Sequence, residues 1–263
     1  MAHLERNLLR SLWTLEGPAE QAVLPGVVAP DAHVEFVFHF GEPWRMQRLG
    51  EEGWSTQPRA FLYAQRERSL RFEGTGHVHL VAFRTSSVVA RRVLRTSLAD
   101  CWDTLIPLQS IIGSDAEAIH EELDRTPSHA RGPVIATWLR RRLADWSTED
   151  AEAERLVKLV FWDHHHESIS HIARRLGPSV RSLRRQFANA AAMSPKDAQL
   201  SGRLLVACSL LRDEPSLGIT EIAHRVGFYD HAAFTHAFCA RIGLTPAHLR
   251  SMPQVFFERR PCA

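Results

Sequence analysis

Apolar positions change their period partway along the chain. In the amino-terminal third, Val34, Phe36, Phe38 and Phe40 alternate with Glu35, Val37 and His39, the period of two that marks a half-buried β-strand. His77, His79 and Val81 alternate in the same way with Val78, Leu80 and Ala82 after a Gly74-Thr75-Gly76 turn, which predicts a second strand. Breaks at Pro25-Gly26, Pro30-Asp31, Gly41-Glu42-Pro43 and Gly50 to Gly53 divide the region up to about Phe83 into several short strands of an all-β sheet or barrel.

The period then becomes helical. Ser114 with Glu117 reads as a capping box for a helix to about Leu123, and Pro133 as the start of another helix carrying Val134, Trp138, Leu139 and Trp146. Trp138 and Leu139 suit either the monomer core or a dimer seam, and Arg140, Arg141 and Arg142 suit the solvated side. Ser147-x-x-Asp150 begins the next helix and marks the expected domain boundary. The histidines at 164 to 166 precede Ser168 and are expected at a helix end rather than around an ion.

The carboxy-terminal part aligns with itself. Ile169, Ala173 and Gly177 return as Ile219, Ala223 and Gly227, shifted by 50; Phe187 returns as Phe238, and Ser194-Pro195 as Thr245-Pro246, shifted by 51. In the first copy Ser168 can cap a helix with Ile169, Ile172, Ala173 and Leu176 on one face, Gly177 stands at its C-cap, and Ser179 caps a second helix built on Val180, Leu183 and Phe187. In the second copy Ile219, Ile222, Ala223 and Val226 form the first face, Gly227 ends that helix, and Asp230 caps a helix with Phe234 and Phe238 inward. Each copy reads as a helix-turn-helix, whose second helix suits a major groove.

The outward faces point to the same partner. Arg181, Arg184 and Arg185 stand at i, i+3 and i+4 opposite Leu183 and Phe187, with Ser182 beside them; guanidinium groups take a guanine edge bidentately or clamp a phosphate. The second copy carries His231 with Thr235 and Ala232 with His236, all small or hydrogen-bonding. Pro195 to Leu211 reads as a connecting helix with Leu200, Leu204, Ala207 and Leu211 inward; at about 1.5 Å per residue it is roughly 25 Å long. With the widths of the reading helices added, that suits two major-groove segments about one DNA turn apart.

Charge follows the same division: residues 1–150 sum to −3 and the remainder to +5, within a 263-residue chain of net +2 that leaves room for two cores. Apolar residues at 44% and charged residues at 24% are ordinary globular composition. There is no apolar run of spanning length, and no secretory pattern in residues 1 to 17, so a cytoplasmic protein without a membrane partner is expected. Cys101, Cys208, Cys239 and Cys262 are widely spaced, which fits thiols in a reducing compartment rather than a zinc site or a disulfide.

From near Leu156 to Arg250 the chain resembles the AraC/XylS family of bacterial transcription regulators. The resemblance rests on Ile169-x-x-x-Ala173-x-x-x-Gly177, Leu183-Arg184-Arg185-x-Phe187, Ser194-Pro195, Arg203-x-x-x-Ala207, Ile219-x-x-Ile222-Ala223-x-x-x-Gly227-Phe228-x-Asp230, Phe234-x-x-x-Phe238, Gly243-Leu244-Thr245-Pro246 and Arg250. It implies an α+β protein: a cupin-like sensing domain over 1–95, a helical linker or dimerisation region over 96–150, and a double helix-turn-helix over 151–263. It also implies double-stranded DNA as partner, contacted by Arg181, Ser182, Arg184, Arg185, His231, Ala232, Thr235 and His236. The family usually has Arg or Lys where His236 and Cys239 stand, so the second unit is expected to bind more weakly or with pH sensitivity while the first supplies most affinity.

A small effector, a second copy of the chain and, for an activator, RNA polymerase are further expected partners; no residue identifies the effector. The alternative is a cupin-type metal-dependent enzyme domain fused to a DNA-binding module, suggested by His77-x-His79 with His39. No properly spaced glutamate and third histidine follow, so no metal, cofactor or catalytic residue is expected.

Overall fold

A computed structural model describes residues 9–18, 27–31, 33–64, 67–163, 167–252 and 255–256. The protein is α+β, with a strand-rich amino-terminal part followed by helices. One antiparallel sheet has the order β1 (Ser11–Pro18), β8 (His77–Thr85), β3 (Val34–His39), β6 (Ala60–Ala64) and β9 (Leu105–Pro107). The other runs β10 (Val255–Phe256), β2 (Val27–Val28), β7 (Leu70–Glu73), β4 (Arg45–Arg48) and β5 (Ser55–Thr56). β10 pairs in parallel with β2, so the far end of the chain returns to the amino-terminal sheet. The turns expected at Pro25-Gly26 and the histidines at 164 to 166 fall outside the described residues.

Strand β3 is buried on both faces rather than one. Val34, Phe36 and Phe38 pack with Val81 and Phe83 of β8 against helical residues, including Val89, Leu123 and Trp138. Val37 joins Phe61, Tyr63, Leu80 and Ala82 against Trp44 and against Met46 and Leu70 of the second sheet. The first sheet is therefore a middle layer, and Glu35 alone in β3 is not fully buried. Alternation in the sequence separates two apolar environments here, not core from solvent.

Helices α1 (Ser87–Leu94), α2 (Leu108–Ile112), α3 (Ser114–Arg125) and α4 (Arg131–Arg142) cover that layer. Ser114 is the first residue of α3 and Gly113 its N-cap, with no side-chain cap bond, so the Ser114/Glu117 capping box does not form. α4 begins at Arg131, which places Pro133 within its first turn, where a missing N–H has no intrahelical partner to lose. Trp138 and Leu139 are monomer core, at 2% and 0% exposure, which removes them from a dimer seam. Arg142 is not simply solvated: it donates to Val93 O at 2.9 Å and to Asp115 at 2.6 Å, while Arg140 and Arg141 are exposed.

The next helix, α5 (Thr148–Lys158), carries the expected Ser147/Asp150 capping box, and a π-helical turn, Leu159–Asp163, follows it. Asp150 also meets Arg91 at 3.5 Å and Arg92 at 3.1 Å, tying the helix start to α1. Among the described residues no helix is long and apolar enough to cross a membrane.

Candidate nucleic-acid interface

The repeat becomes two helix-turn-helix units. In the first, α6 (Ile169–Leu176) is capped by Ser168 and ends at Gly177 with φ 92°; α7 (Val180–Ala191) is capped by Ser179, whose side chain accepts from Ser182 N. In the second, α9 (Ile219–Arg225) is followed by Gly227 at φ 81°, and α10 (His231–Ile242) is capped by Asp230, which accepts from Ala233 N at 2.7 Å. Between them runs α8 (Pro195–Asp213), 19 residues capped by Ser194; α11 (Pro246–Ser251) follows, capped by Thr245. Such caps contribute about 1 kcal/mol each by satisfying otherwise unpaired amides.

The units draw on different cores. Ile172, Ala173, Leu183, Phe187 and Ala191 are continuous with the amino-terminal sheet's core, whereas Ile222, Phe234, Phe238 and Ile242 pack with Leu204, Ala207 and Leu211 of α8 and with Ala29 and Leu49. Leu176, assigned inward by its spacing, is 44% exposed because α6 ends there and the chain turns away at Gly177.

On α7, Arg181, Arg184 and Arg185 are exposed opposite the fully buried Leu183 and Phe187, and Ser182 is half-buried. None of the three arginines has a hydrogen bond or ion pair among the described residues. Three other arginines of this region do: Arg175 meets Glu167 at 3.3 Å, Arg225 meets Glu214 and Glu221 at 3.3 and 3.0 Å, and Arg241 lies 3.4 Å from Asp197 and 3.7 Å from Glu67. Three adjacent cations without internal counter-charges form a ready surface for an anion. Gln186 and Asn189 are exposed on α7 as well; both side chains match an adenine edge, and the one-residue and four-residue steps from Arg185 could have flagged them.

On α10 the arrangement is less even. Ala232 and His236 are exposed with Ala233 and Ala240, and His231 is exposed at the first position. Thr235 is half-buried and its hydroxyl oxygen is covered without a partner, so the pairing of His231 with Thr235 on one outward face does not form. Thr235 lies one residue from Phe234 and three from Phe238, which turns its side chain toward the core flank.

The histidines of the amino-terminal part do not converge. His39 follows the parity of Val37, into the space between the sheets, where it meets Gln57 at 2.8 Å and stacks on Phe61. His79 follows the parity of Val81, on the other face, where its Nε2 is 2.8 Å from Arg131 and its ring packs on Phe40. His77 is exposed. Among the described residues no three His, Cys, Asp or Glu side chains gather as an ion site. Arg131, 2% exposed, donates to Leu123 O and Thr126 O at the end of α3 and lies 4.3 Å over the Phe40 ring, and its burial lowers its pKa.

Contacts join the amino-terminal part to both units. Trp102 Nε1 donates to Ala192 O, at the end of α7, at 3.1 Å. Arg68 N and Ser69 N donate to Arg241 O and Ile242 O, at the end of α10, at 2.5 and 2.9 Å. Arg10 on the first sheet's side pairs with Glu154 of α5 at 2.6 Å.

Residues 172–252 match a family model described as a helix-turn-helix domain. The chain is 25% identical over 173 residues to the "Probable thc operon regulatory protein" of Rhodococcus erythropolis; that match covers 56% of this chain and 52% of the relative, so the chain spans about half the relative's length. Among solved structures it is similar to ToxT from Vibrio cholerae (10% identity, 93% of this chain and 95% of that one, TM-score 0.46). It is also similar to the C-terminal domain of AraT from Geobacillus stearothermophilus (22% identity, 44% and 97%, TM-score 0.37). The chain therefore carries a helix-turn-helix domain, and residues 172–252 that match it span most of the two capped and duplicated helix pairs.

Proposed function

We propose that the protein is a sequence-specific DNA-binding transcription regulator in which α7 and α10 read two successive major-groove segments. The observation that carries this reading is the trio Arg181, Arg184 and Arg185, exposed and without internal counter-charges, on the second helix of a helix-turn-helix. In this reading Arg181, Arg185 and Asn189, on the side of α7 away from Leu183 and Phe187, contact base edges, and the flanking Arg184 and Ser182 contact phosphates. Ala232 and His236 face the second segment, with His231 at the groove's edge; Ala232 suits a thymine methyl group and His236 a hydrogen bond.

Residues 1–95 act as the sensing part and 96–150 as the connection to the DNA-binding part, 151–263. A small effector bound amino-terminally changes the presentation of the two readers by altering the contacts at Ala192 and at Arg241–Ile242. The response is set by the effector's differential affinity for the two arrangements. The protein works in the cytoplasm, binds as a homodimer where operators are paired, and meets RNA polymerase where it activates. Its activity is binding rather than catalysis.

Footprinting of the purified protein on DNA flanking its own gene, with and without a panel of metabolites, tests this reading. A protected stretch covering two segments about 10 base pairs apart, lost progressively with added salt, is expected. Uniform weak protection of all DNA would refute sequence-specific regulation.

A further inference from the structure

Tyr229 is 93% exposed, while the other exposed large apolar residues described, Leu12, Trp13, Trp54 and Leu176, lie between 36% and 44%. It makes no ring contact and no hydrogen bond within the described residues, so the fold has no use for an aromatic side chain there. Its backbone is nevertheless held firmly. Arg203 of α8 donates from Nε to Val226 O at 2.6 Å and from Nη2 to Gly227 O at 2.5 Å, and its guanidinium lies 3.9 Å over the Phe228 ring. Phe228 N donates to Ala223 O at 2.9 Å, and the Phe228 ring meets Phe234 edge-on at 5.4 Å. On the other side Asp230 is fixed by its cap bond to Ala233 N. A fully exposed ring thus stands on a turn clamped from both sides, immediately before the reading helix of the second unit.

We propose that Tyr229 is a DNA-backbone contact that seats α10: its hydroxyl donates to a phosphate oxygen at the groove edge and its ring packs on the adjoining sugar. This rests on the DNA reading above. The residue before the N-cap of a reading helix lies where the chain crosses the groove wall, and phosphate contacts there set register without reading bases. α10 needs such a contact because its outward face offers Ala232, Ala233, His236 and Ala240 and no arginine or lysine, while nearby Arg225 is tied to Glu214 and Glu221. A phenol holds a phosphate without neutralising it, and a clamped turn lowers the entropy lost on binding. Arg203 is then a positioning residue, acting through the turn.

The test uses the full chain and a duplex that the wild-type protein selects from a random-sequence pool, with affinity read across a salt series. Tyr229→Ala weakens binding about tenfold at every salt concentration with the slope of log affinity against log salt unchanged, because no counterion-releasing charge is removed. Tyr229→Phe shows most of that loss. Arg203→Met weakens binding severalfold in the wild-type background and has no further effect on Tyr229→Ala, whereas a purely structural role would weaken both equally. Tyr229→Ala binding within about twofold of wild type overturns the proposal and leaves the DNA reading standing, and Tyr229→Phe matching wild type overturns the hydroxyl–phosphate bond. Failure of the wild-type protein to enrich any duplex overturns the DNA reading itself, and the proposal with it.

Discussion

Acid should weaken this fold through a histidine that no function requires. The His39 side chain is fully buried between the two sheets, against Phe61 and Trp44, and its Nε2 lies 2.8 Å from Gln57 Oε1. Gln57 Nε2 points to Met46 Sδ at 3.8 Å, so Oε1 accepts and the imidazole donates from Nε2. Nδ1 is covered and has no partner, so a second proton would arrive as a buried donor with nothing to receive it. Burial, partly offset by the Gln57 bond and aided by nearby His120, lowers the His39 pKa from 6.5 to about 4.

The sign follows from proton counting. Between about 6.5 and about 4 the unfolded chain holds a proton on this imidazole and the folded chain does not, so stability rises with pH across that window. The contribution is fully present above the upper value and lost as pH falls toward the lower one. Two and a half pKa units correspond to about 3 kcal/mol in all, of which about 2 kcal/mol is gone by roughly pH 5. Urea unfolding of wild type and of His39→Gln at about pH 7.5 and about pH 5 measures it. Wild type should lose about 2 kcal/mol more than the variant on acidification; equal losses would refute the buried neutral imidazole. Asp31 acts in a separate, lower window: burial alone would raise its pKa, but Arg84 and His33 hold it well below 3.8, so its contribution is present above that value and is lost below it.

Arg185→Ala should cost about 1 to 3 kcal/mol of DNA affinity and relax selectivity at one base pair if the guanidinium reads a base edge; unchanged affinity and selectivity would remove it from the interface. Thr235→Val removes a covered hydroxyl that bonds nothing, so thermal denaturation should find the variant as stable as wild type or up to about 1 kcal/mol more so, with DNA affinity unaltered. A tenfold fall in affinity would mean that the hydroxyl turns outward on DNA. Gly177→Ala and Gly41→Ala should separate backbone strain from steric overlap. A Cβ at Gly177 meets nothing within 4 Å and suffers only φ 92°, for about 1 kcal/mol, whereas one at Gly41 would sit 2.2 Å from His77 O and should push the end of β3 away from β8 within the first sheet. Comparable midpoints for the two variants in chemical denaturation would contradict this.

The carboxy-terminal elements were readable residue by residue because helices are local objects. Ser168, Ser179, Ser194, Asp230 and Thr245 each cap through an amide three residues ahead, and Leu183 with Phe187 or Phe234 with Phe238 define a buried face within one turn. The fifty-residue repeat then carried the second unit from the first. The same locality misplaced Thr235 and Leu176, since whether a flank of a helix is covered depends on what packs beside it. Gln186 and Asn189 stand one and four residues from Arg185 and are legible from that spacing, whereas Tyr229 sits in a turn, where no helical period applies.

Alone, the chain determined the alternation of β3, the caps, the duplicated helix pairs and the arginine face of α7, all set by interactions reaching no more than about four residues or by side-chain chemistry. Only the folded molecule decided that β3 lies between two cores, that His39 and His79 occupy opposite faces of one sheet, and that the first reader shares the amino-terminal core while the second packs on α8. It also decided the return of Val255–Phe256 to β2. Those outcomes depend on which apolar surfaces meet across tens to hundreds of residues, and burial is non-directional, so alternation specifies that a face will be covered without specifying by what.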